Sequence, residues 1–250
     1  RASRWANLDW GPEVLEAARK MAAGEGCEGI KYPWESTDTG REECPKYCPL
    51  HDGTDRWERW RGGEQQIHVT SDVALGFWQD YLATGDRAFL EGPGLDILVG
   101  TARYWASRVA KRKAGGESRY EIRLVIGPDE SHQCVHNNVY TNAMARWNLR
   151  QAAELVESLR PTAAARQRLG IQAGEVDRWR FIADRIKINF NPRTGLYEQF
   201  DGYFKHPEQT VKQADTLLAL YLLPELRPGD VFRKNFRRYY PVTEHGSSLS

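Results

Sequence analysis

Val125-Ile126-Gly127-Pro128-Asp129-Glu130-Ser131-His132 places two adjacent carboxylates after an apolar run and a Gly-Pro break. Residues 119–126 alternate roughly as a strand does, and Gly-Pro ends the alternation. Asp129 and Glu130 are therefore expected at a strand end, on a loop that leads into a helix. Loops held by rigid elements are where catalytic side chains gather. Neighbouring carboxylates ionise unequally, because each charge disfavours the other. One that stays protonated near neutral pH can act as a general acid. Taken alone, Pro-Asp-Glu reads first as a turn and helix cap, so the surrounding chain has to decide.

Outward from this stretch the pattern is almost entirely helical. Helices are expected over about 12–23, 70–84, 94–111, 139–159, 174–188, 212–223 and 230–240. Pro12 suits a first helical turn, and Gly85 suits the residue after a helix end. The connections alternate in length. Those over about 23–69, 112–138 and 189–211 are long, and another irregular stretch begins at Pro241. The intervening ones are shorter. In an up-and-down array this gathers every long connection on one face, and long loops in a compact domain are usually functional. Bundles rarely carry such loops on one side only. The expected fold is all-α, an (α/α)6 toroid or barrel left incomplete by seven helices, with residues 1–250 as part of one catalytic domain.

The 250 residues include 35 basic and 34 acidic side chains, a net charge of +1. No charge asymmetry points to nucleic acid, and no apolar run approaches the ~18 residues of a membrane span. Nine Trp and eleven Tyr lean toward carbohydrate, since aromatic planes stack on sugar rings, although aromatics are also ordinary core material. The chain starts at Arg1, so a native N-terminus is expected upstream. The expected location is cytoplasmic. Cys27, Cys44, Cys48 and Cys134 are expected as free thiols. Cys44, Cys48 and His51, with Cys27, would make a Cys3His zinc set, but Cys-x3-Cys is not a common zinc spacing, and no metal is expected.

Each long connection carries a polar and aromatic motif. The first holds Lys31-Tyr32-Pro33-Trp34-Glu35-Ser36-Thr37-Asp38-Thr39-Gly40 and ends in Glu64-Gln65-Gln66-Ile67-His68. The second holds the opening stretch and Asn137-Asn138-Val139-Tyr140-Thr141-Asn142. The third holds residues 195–204 and Lys212-Gln213-Ala214-Asp215, and the last is Thr243-Glu244-His245-Gly246-Ser247-Ser248-Leu249-Ser250. Singly these read as a loop anchor (Trp34), a cap (Asn137 or Asn138) and a solvated cation (Lys212). A cation at a helix start opposes the dipole, so Lys212 is expected to have a carboxylate or ligand oxygen as partner. His-Gly-Ser-Ser offers a cation, hydroxyls and backbone N–H groups that suit an oxyanion.

In order along the chain, these motifs resemble the catalytic domain of glycoside hydrolase family 65, the maltose, kojibiose and trehalose phosphorylase group. The resemblance implies an (α/α)6 barrel, with Glu130 as general acid. It implies that Lys212 and Gln213 hold the donor glucosyl unit, and that the His245–Ser250 loop contacts phosphate. Trp34 and Glu35 are further sugar-binding candidates, and His245, Gly246, Ser247 and Ser248 are the phosphate-binding candidates. Two departures flank the acid: Ser131-His132-Gln133 replaces the family's Tyr-His-Glu, and His136 replaces an Asp. The implied activity is inverting phosphorolysis of an α-glucosyl disaccharide to β-glucose 1-phosphate and a free sugar. The partners would be the disaccharide and phosphate as co-substrate, with no other cofactor, and a homodimer is an open expectation for the full-length protein. An inverting α-glucoside hydrolase with Glu244 as base is the nearest alternative. A non-catalytic carbohydrate-binding fragment is the other.

Overall fold

The computed structural model describes residues 12–36, 38–50, 53–114, 116–158 and 163–244. Its helices are α1 (Pro12–Gly24), α2 (Val69–Thr84), α3 (Leu95–Arg108), α4 (Val139–Ser158), α5 (Ala163–Leu169), α6 (Glu175–Ala183), α7 (Asp215–Leu222) and α8 (Val231–Tyr239). Short helical turns at Gly62–Gln65 and Arg87–Phe89, and a π-turn at Leu90–Gly94, lead into α2 and α3. Four antiparallel two-stranded ladders complete the described residues: β1 (Tyr47–Pro49) with β2 (Trp57–Arg59), β3 (Ala110–Ala114) with β4 (Glu117–Glu121), β5 (Arg123–Val125) with β6 (Val135–His136), and β7 (Phe190–Asn191) with β8 (Leu196–Tyr197).

Residue spacing explains the packing. In α1 the buried residues are Val14, Ala18 and Ala22, one stripe at four-residue intervals. Helix α2 ends at Gly85, whose φ of 64° is left-handed and whose N–H donates to Tyr81 O, a stop that favours glycine. Helix α3 buries a wide face that includes Leu95, Ile97, Leu98, Val99, Tyr104 and Trp105, leaving a polar stripe at Asp96, Gly100, Arg103 and Ser107. A face that wide demands neighbours on several sides. The 20-residue α4 is the hub, packing against α2, α3, α6 and α7. Its α2- and α3-facing side joins the main core, while Val139, Tyr140, Ala143 and Met144 form a second cluster with Ala219 and Leu220 of α7. Each fully buried large apolar side chain contributes about 1.5–3 kcal/mol relative to exposure.

Five expectations need correction. The helix expected over 174–188 ends at Ala183, because the chain beyond it pairs with β4 through Tyr120 and Ile186. The third helix stops at Arg108, because residues 110–114 pair as β3 with β4. The expected strand over 119–126 is broken into β4 and β5, with a register shift between Arg123 and Val125 and a left-handed φ of 55° at Leu124. The helix expected from 212 begins at Asp215, so Lys212 lies on a bend three residues before the helix rather than in its first turn. An eighth helix, α5, occupies a connection expected to be bare.

Candidate active site

The Asp129-Glu130 loop hangs from a narrow hairpin. β5 and β6 pair Arg123 with His136 and Val125 with Val135, so residues 126–134 form a loop with closed ends. Gln65, in the first long connection, holds both sides of it. Its carbonyl accepts from Ile126 N–H at 3.0 Å, and its Oε1 accepts from Cys134 N–H at 2.9 Å. Gly127 is where the loop passes most tightly, since a Cβ there would sit 2.5 Å from both Asn138 Nδ2 and Asp215 Oδ2.

Glu130 meets side chains from two other connections. Lys212 Nζ lies 2.6 Å from Glu130 Oε2, and Gln213 Nε2 lies 3.4 Å from the same oxygen. Gln66 Nε2 lies 3.4 Å from Oε1, and Glu130 N–H donates to Gln213 Oε1 at 3.3 Å. The Glu130 side chain is 19% exposed and that of Lys212 47%, so the pair faces solvent on one side. The partner sought for Lys212 is thus a carboxylate of the same site.

Behind Gln66 runs a polar chain that is buried at His68 and Tyr140 and partly open at Asp72. His68 Nε2 is 3.4 Å from Gln66 Oε1, and His68 Nδ1 is 2.8 Å from Asp72 Oδ2. Tyr140 OH donates to Asp72 Oδ1 at 2.8 Å. Burial, then the Asp72 charge, pushes the Tyr140 phenol far above its ordinary value, so it stays a donor. Trp34 stands edge-on to His68 with ring centroids 5.8 Å apart. Its own N–H and that of Glu35 donate to Glu42 at 2.7 and 3.2 Å. Glu35 is exposed.

Two further carboxylates are buried beneath Glu130. Asp129 accepts from His132, Gln199, Ser131 N–H and Lys212 N–H. Asp215 accepts from Asn138 Nδ2 at 2.7 Å. Full burial, with the Asp129 charge second, pushes the Asp215 carboxyl up to about 7. Asn138 also caps α4, its Oδ1 accepting from Thr141 N–H at 2.9 Å, so the expected cap and the site residue are the same side chain.

Glu130, Lys212 and Gln213 are therefore in mutual reach, with Trp34 connected through His68 and Gln66. His245, Gly246, Ser247 and Ser248 lie outside the described residues, as does His51. The chain reaches Glu244 beside the site, because Val211 and Thr243 form a parallel bridge and Glu244 N–H donates to Val211 O at 2.8 Å. The four cysteines are free thiols. Among the described residues no group of three or more His, Cys, Asp or Glu could hold a metal ion, and no helix is long and apolar enough to cross a membrane. Gln66, His68, Asn138 and Asp215 fall within the sequence motifs, but residue order assigns no chemistry to Gln66, His68 or Asp215. Their signal was polarity at positions packed into apolar helix starts.

The glycosyl hydrolase family 65 central catalytic domain matches residues 3–212. The chain belongs to glycosyl hydrolase family 65. Kojibiose phosphorylase of Caldanaerobacter subterraneus subsp. tengcongensis is 36% identical over 268 aligned residues, covering 95% of this chain and 34% of that protein. Kojibiose hydrolase of Flavobacterium johnsoniae is 36% identical over 232, covering 93% and 30%. Protein-glucosylgalactosylhydroxylysine glucosidase of Danio rerio is 35% identical over 238, covering 95% and 32%. A solved structure, "Putative kojibiose phosphorylase from human microbiome", matches with a TM-score of 0.80 over 95% of this chain and 33% of that one, at 22% identity. The chain spans about a third of the length of the family 65 relatives it matches. The described helices are thus part of the family's (α/α)6 barrel, as the alternation of loop lengths implied.

Proposed function

We propose that the full-length protein cleaves an α-glucosyl disaccharide with inversion, Glu130 being the general acid. Glu130 protonates the glycosidic oxygen as the free sugar leaves. Phosphate attacks the anomeric carbon from the opposite face, giving β-glucose 1-phosphate. Phosphate brings its own nucleophilic oxygen, so one protein carboxylate suffices. An inverting hydrolase instead needs a second carboxylate about 6.5–9.5 Å from the acid to activate water. The observation that carries this reading is the meeting of three long connections on Glu130, through Lys212, Gln213 and Gln66. The Val211–Thr243 bridge brings the chain to Glu244, whose N–H donates to the carbonyl of Val211, the neighbour of Lys212. His245, Gly246, Ser247 and Ser248, which follow in sequence, are proposed to bind the phosphate. The roles of Lys212 and Gln213 in holding the glucosyl unit, and of Trp34 and Glu35 in stacking on and hydrogen-bonding the sugars, belong to the same proposal. Kojibiose is the first substrate to try, because kojibiose phosphorylases are among the similar relatives.

A second reading, inverting hydrolysis with Glu244 as base, rests on loop length. Matches to the phosphorylases need 268 aligned positions for 95% of the chain, about thirty more than the residues covered. Matches to the kojibiose hydrolase and the glucosidase need almost none extra, at 232 positions for 93% and 238 for 95%. The chain therefore lacks insertions that those phosphorylases carry. The deciding experiment measures initial rates of the full-length protein on glucosyl disaccharides, with and without phosphate. Phosphate-dependent release of β-glucose 1-phosphate is expected. A rate that is unchanged without phosphate and abolished by Glu244→Gln would replace phosphorolysis with hydrolysis.

A further inference from the structure

Asp129 is 1% exposed and yet stands next to the acid. Its two oxygens accept four hydrogen bonds. Oδ1 takes Lys212 N–H at 2.9 Å and Ser131 N–H at 3.2 Å. Oδ2 takes His132 Nδ1 at 2.7 Å and Gln199 Nε2 at 2.7 Å. A carboxylate has about four lone-pair sites, so Asp129 has none to spare for a substrate. Its position and saturation exclude a direct part in bond cleavage.

The donors show what it does instead. Two are backbone N–H groups, one belonging to the residue after Glu130 and the other to Lys212 itself. The two side-chain donors come from the acid's own loop and from the third long connection. We propose that Asp129 is the positioning residue of this site, holding the backbone on either side of the Glu130–Lys212 pair in one register so that acid and cation meet. The inference rests on Glu130 being the acid. Asp129 is the buried anchor between the acid's loop and the Lys212 backbone; the other links, Glu130 N–H to Gln213 Oε1 and Lys212 Nζ to Glu130, involve the partly exposed pair.

The charge of Asp129 is balanced locally. His132 is buried, and its Nε2 faces Glu208 O at 3.3 Å. Its ring is surrounded by Phe200, Tyr203 and His206 at 5.0, 6.0 and 5.1 Å. Burial opposes a charged imidazole here, but the hydrogen bond and charge of Asp129, helped by Glu208, outweigh it and hold His132 above its ordinary value. A buried carboxylate is tolerable when it is fully hydrogen-bonded, and Asp129 meets that condition with four donors.

The test is a double-mutant cycle in the full-length protein. Cleavage of kojibiose is followed as released sugar, which reads phosphorolysis and hydrolysis alike. Asp129→Asn keeps the shape but removes the charge. Its NH2 either faces the Ser131 and Lys212 N–H groups, or faces His132 and Gln199 and forces the ring to its other tautomer and the amide to flip. Misplacing a catalytic group by about 1 Å costs roughly 10²-fold, so kcat should fall about 10- to 100-fold with KM within twofold. Because the effect passes through Glu130, Asp129→Asn should cost less than about threefold in a Glu130→Gln background. On an aryl glucoside with a good leaving group it should likewise cost little. Equal losses in both backgrounds would mean a merely structural role and would overturn the proposal. If Asp129→Asn does not fold, Gln199→Met is run through the same cycle. It removes one side-chain donor and leaves both backbone bonds, and the same pattern, smaller in size, is expected. Wild-type turnover by Glu130→Gln alone would instead overturn the acid assignment.

Discussion

Lys212 and Glu130 are 82 positions apart in sequence, and their side chains meet with Nζ 2.6 Å from Oε2. Glu130, the proposed acid, is therefore paired with a cation from a different long connection. Removing the proton donor while keeping its shape should show which step it serves. Glu130→Gln should lower kcat by about 10²–10⁴ on disaccharides, whose leaving groups need protonation. Aryl glucosides with activated leaving groups should lose far less. Kinetics on both substrate types checks this, and equal losses on the two would count against acid catalysis.

Gly127 permits the acid's loop to pass over the Asn138–Asp215 contact. Alanine there would bring a Cβ to 2.5 Å from both side chains. Both are buried, so neither can swing into solvent. Gly127→Ala is expected to destabilise by about 1–3 kcal/mol, the usual cost of overpacking, and to lower kcat through the displaced loop. Chemical denaturation together with kinetics measures both. Unchanged stability would show that the loop can shift at no cost.

Asp215 titrates near neutrality in the folded protein. Its carboxyl is pushed up to about 7 by burial and by Asp129, against about 3.9 when unfolded. Below pH 4 both states hold the proton. Between about 4 and 7 only the folded state holds it. This contribution is therefore present at low pH and lost as pH rises through 7, at up to about 1.4 kcal/mol per pH unit. The raised value of His132 acts in the same direction. Asp215→Asn should gain stability relative to wild type as pH rises from 5 to 8. A wild-type-to-variant difference that does not change with pH would contradict the assignment.

Asn138 has two duties on one amide, capping α4 through Oδ1 and donating to Asp215 through Nδ2. Cap loss alone costs about 0.5–2 kcal/mol. Asn138→Ala should exceed that range, because it also strips a donor from a buried carboxyl. In an Asp215→Asn background the cost should shrink toward the cap value. Thermal or denaturant unfolding of the four proteins tests the coupling.

Trp34 stands 5.8 Å from His68, at the end of the chain His68–Gln66–Glu130. If its ring stacks on sugar with an energy typical of aromatic contacts, about 0.5–1.5 kcal/mol, Trp34→Ala should raise KM for the disaccharide about 2- to 12-fold. A fall in kcat at constant KM would assign Trp34 to holding His68 instead.

The helical periodicities of α1, α2, α4 and α8, and the alternation of long and short connections, were readable because both depend on local residue order. A stripe such as Val14, Ala18 and Ala22 reports its burial directly. So does the left-handed stop at Gly85. The break at Leu124 and the hairpin over 110–121 were not readable, because strand pairing is settled between segments. An apolar run alone cannot distinguish a helix tail from a ladder.

The candidate site divides the same way. Glu130, Lys212 and Trp34 stood out because their residue types sit in long polar connections. Their contacts did not, since nothing local states that position 212 closes on position 130. Asp129 and Glu130 show the limit most sharply. As neighbours in sequence they are equivalent carboxylates, and only folding separates them. Asp129 turns inward onto four donors and is 1% exposed, while Glu130 turns outward to a lysine with its side chain 19% exposed. Residue order supplies the functional groups, whereas burial and hydrogen-bond partners, which arise only when distant segments pack together, divide the roles between them.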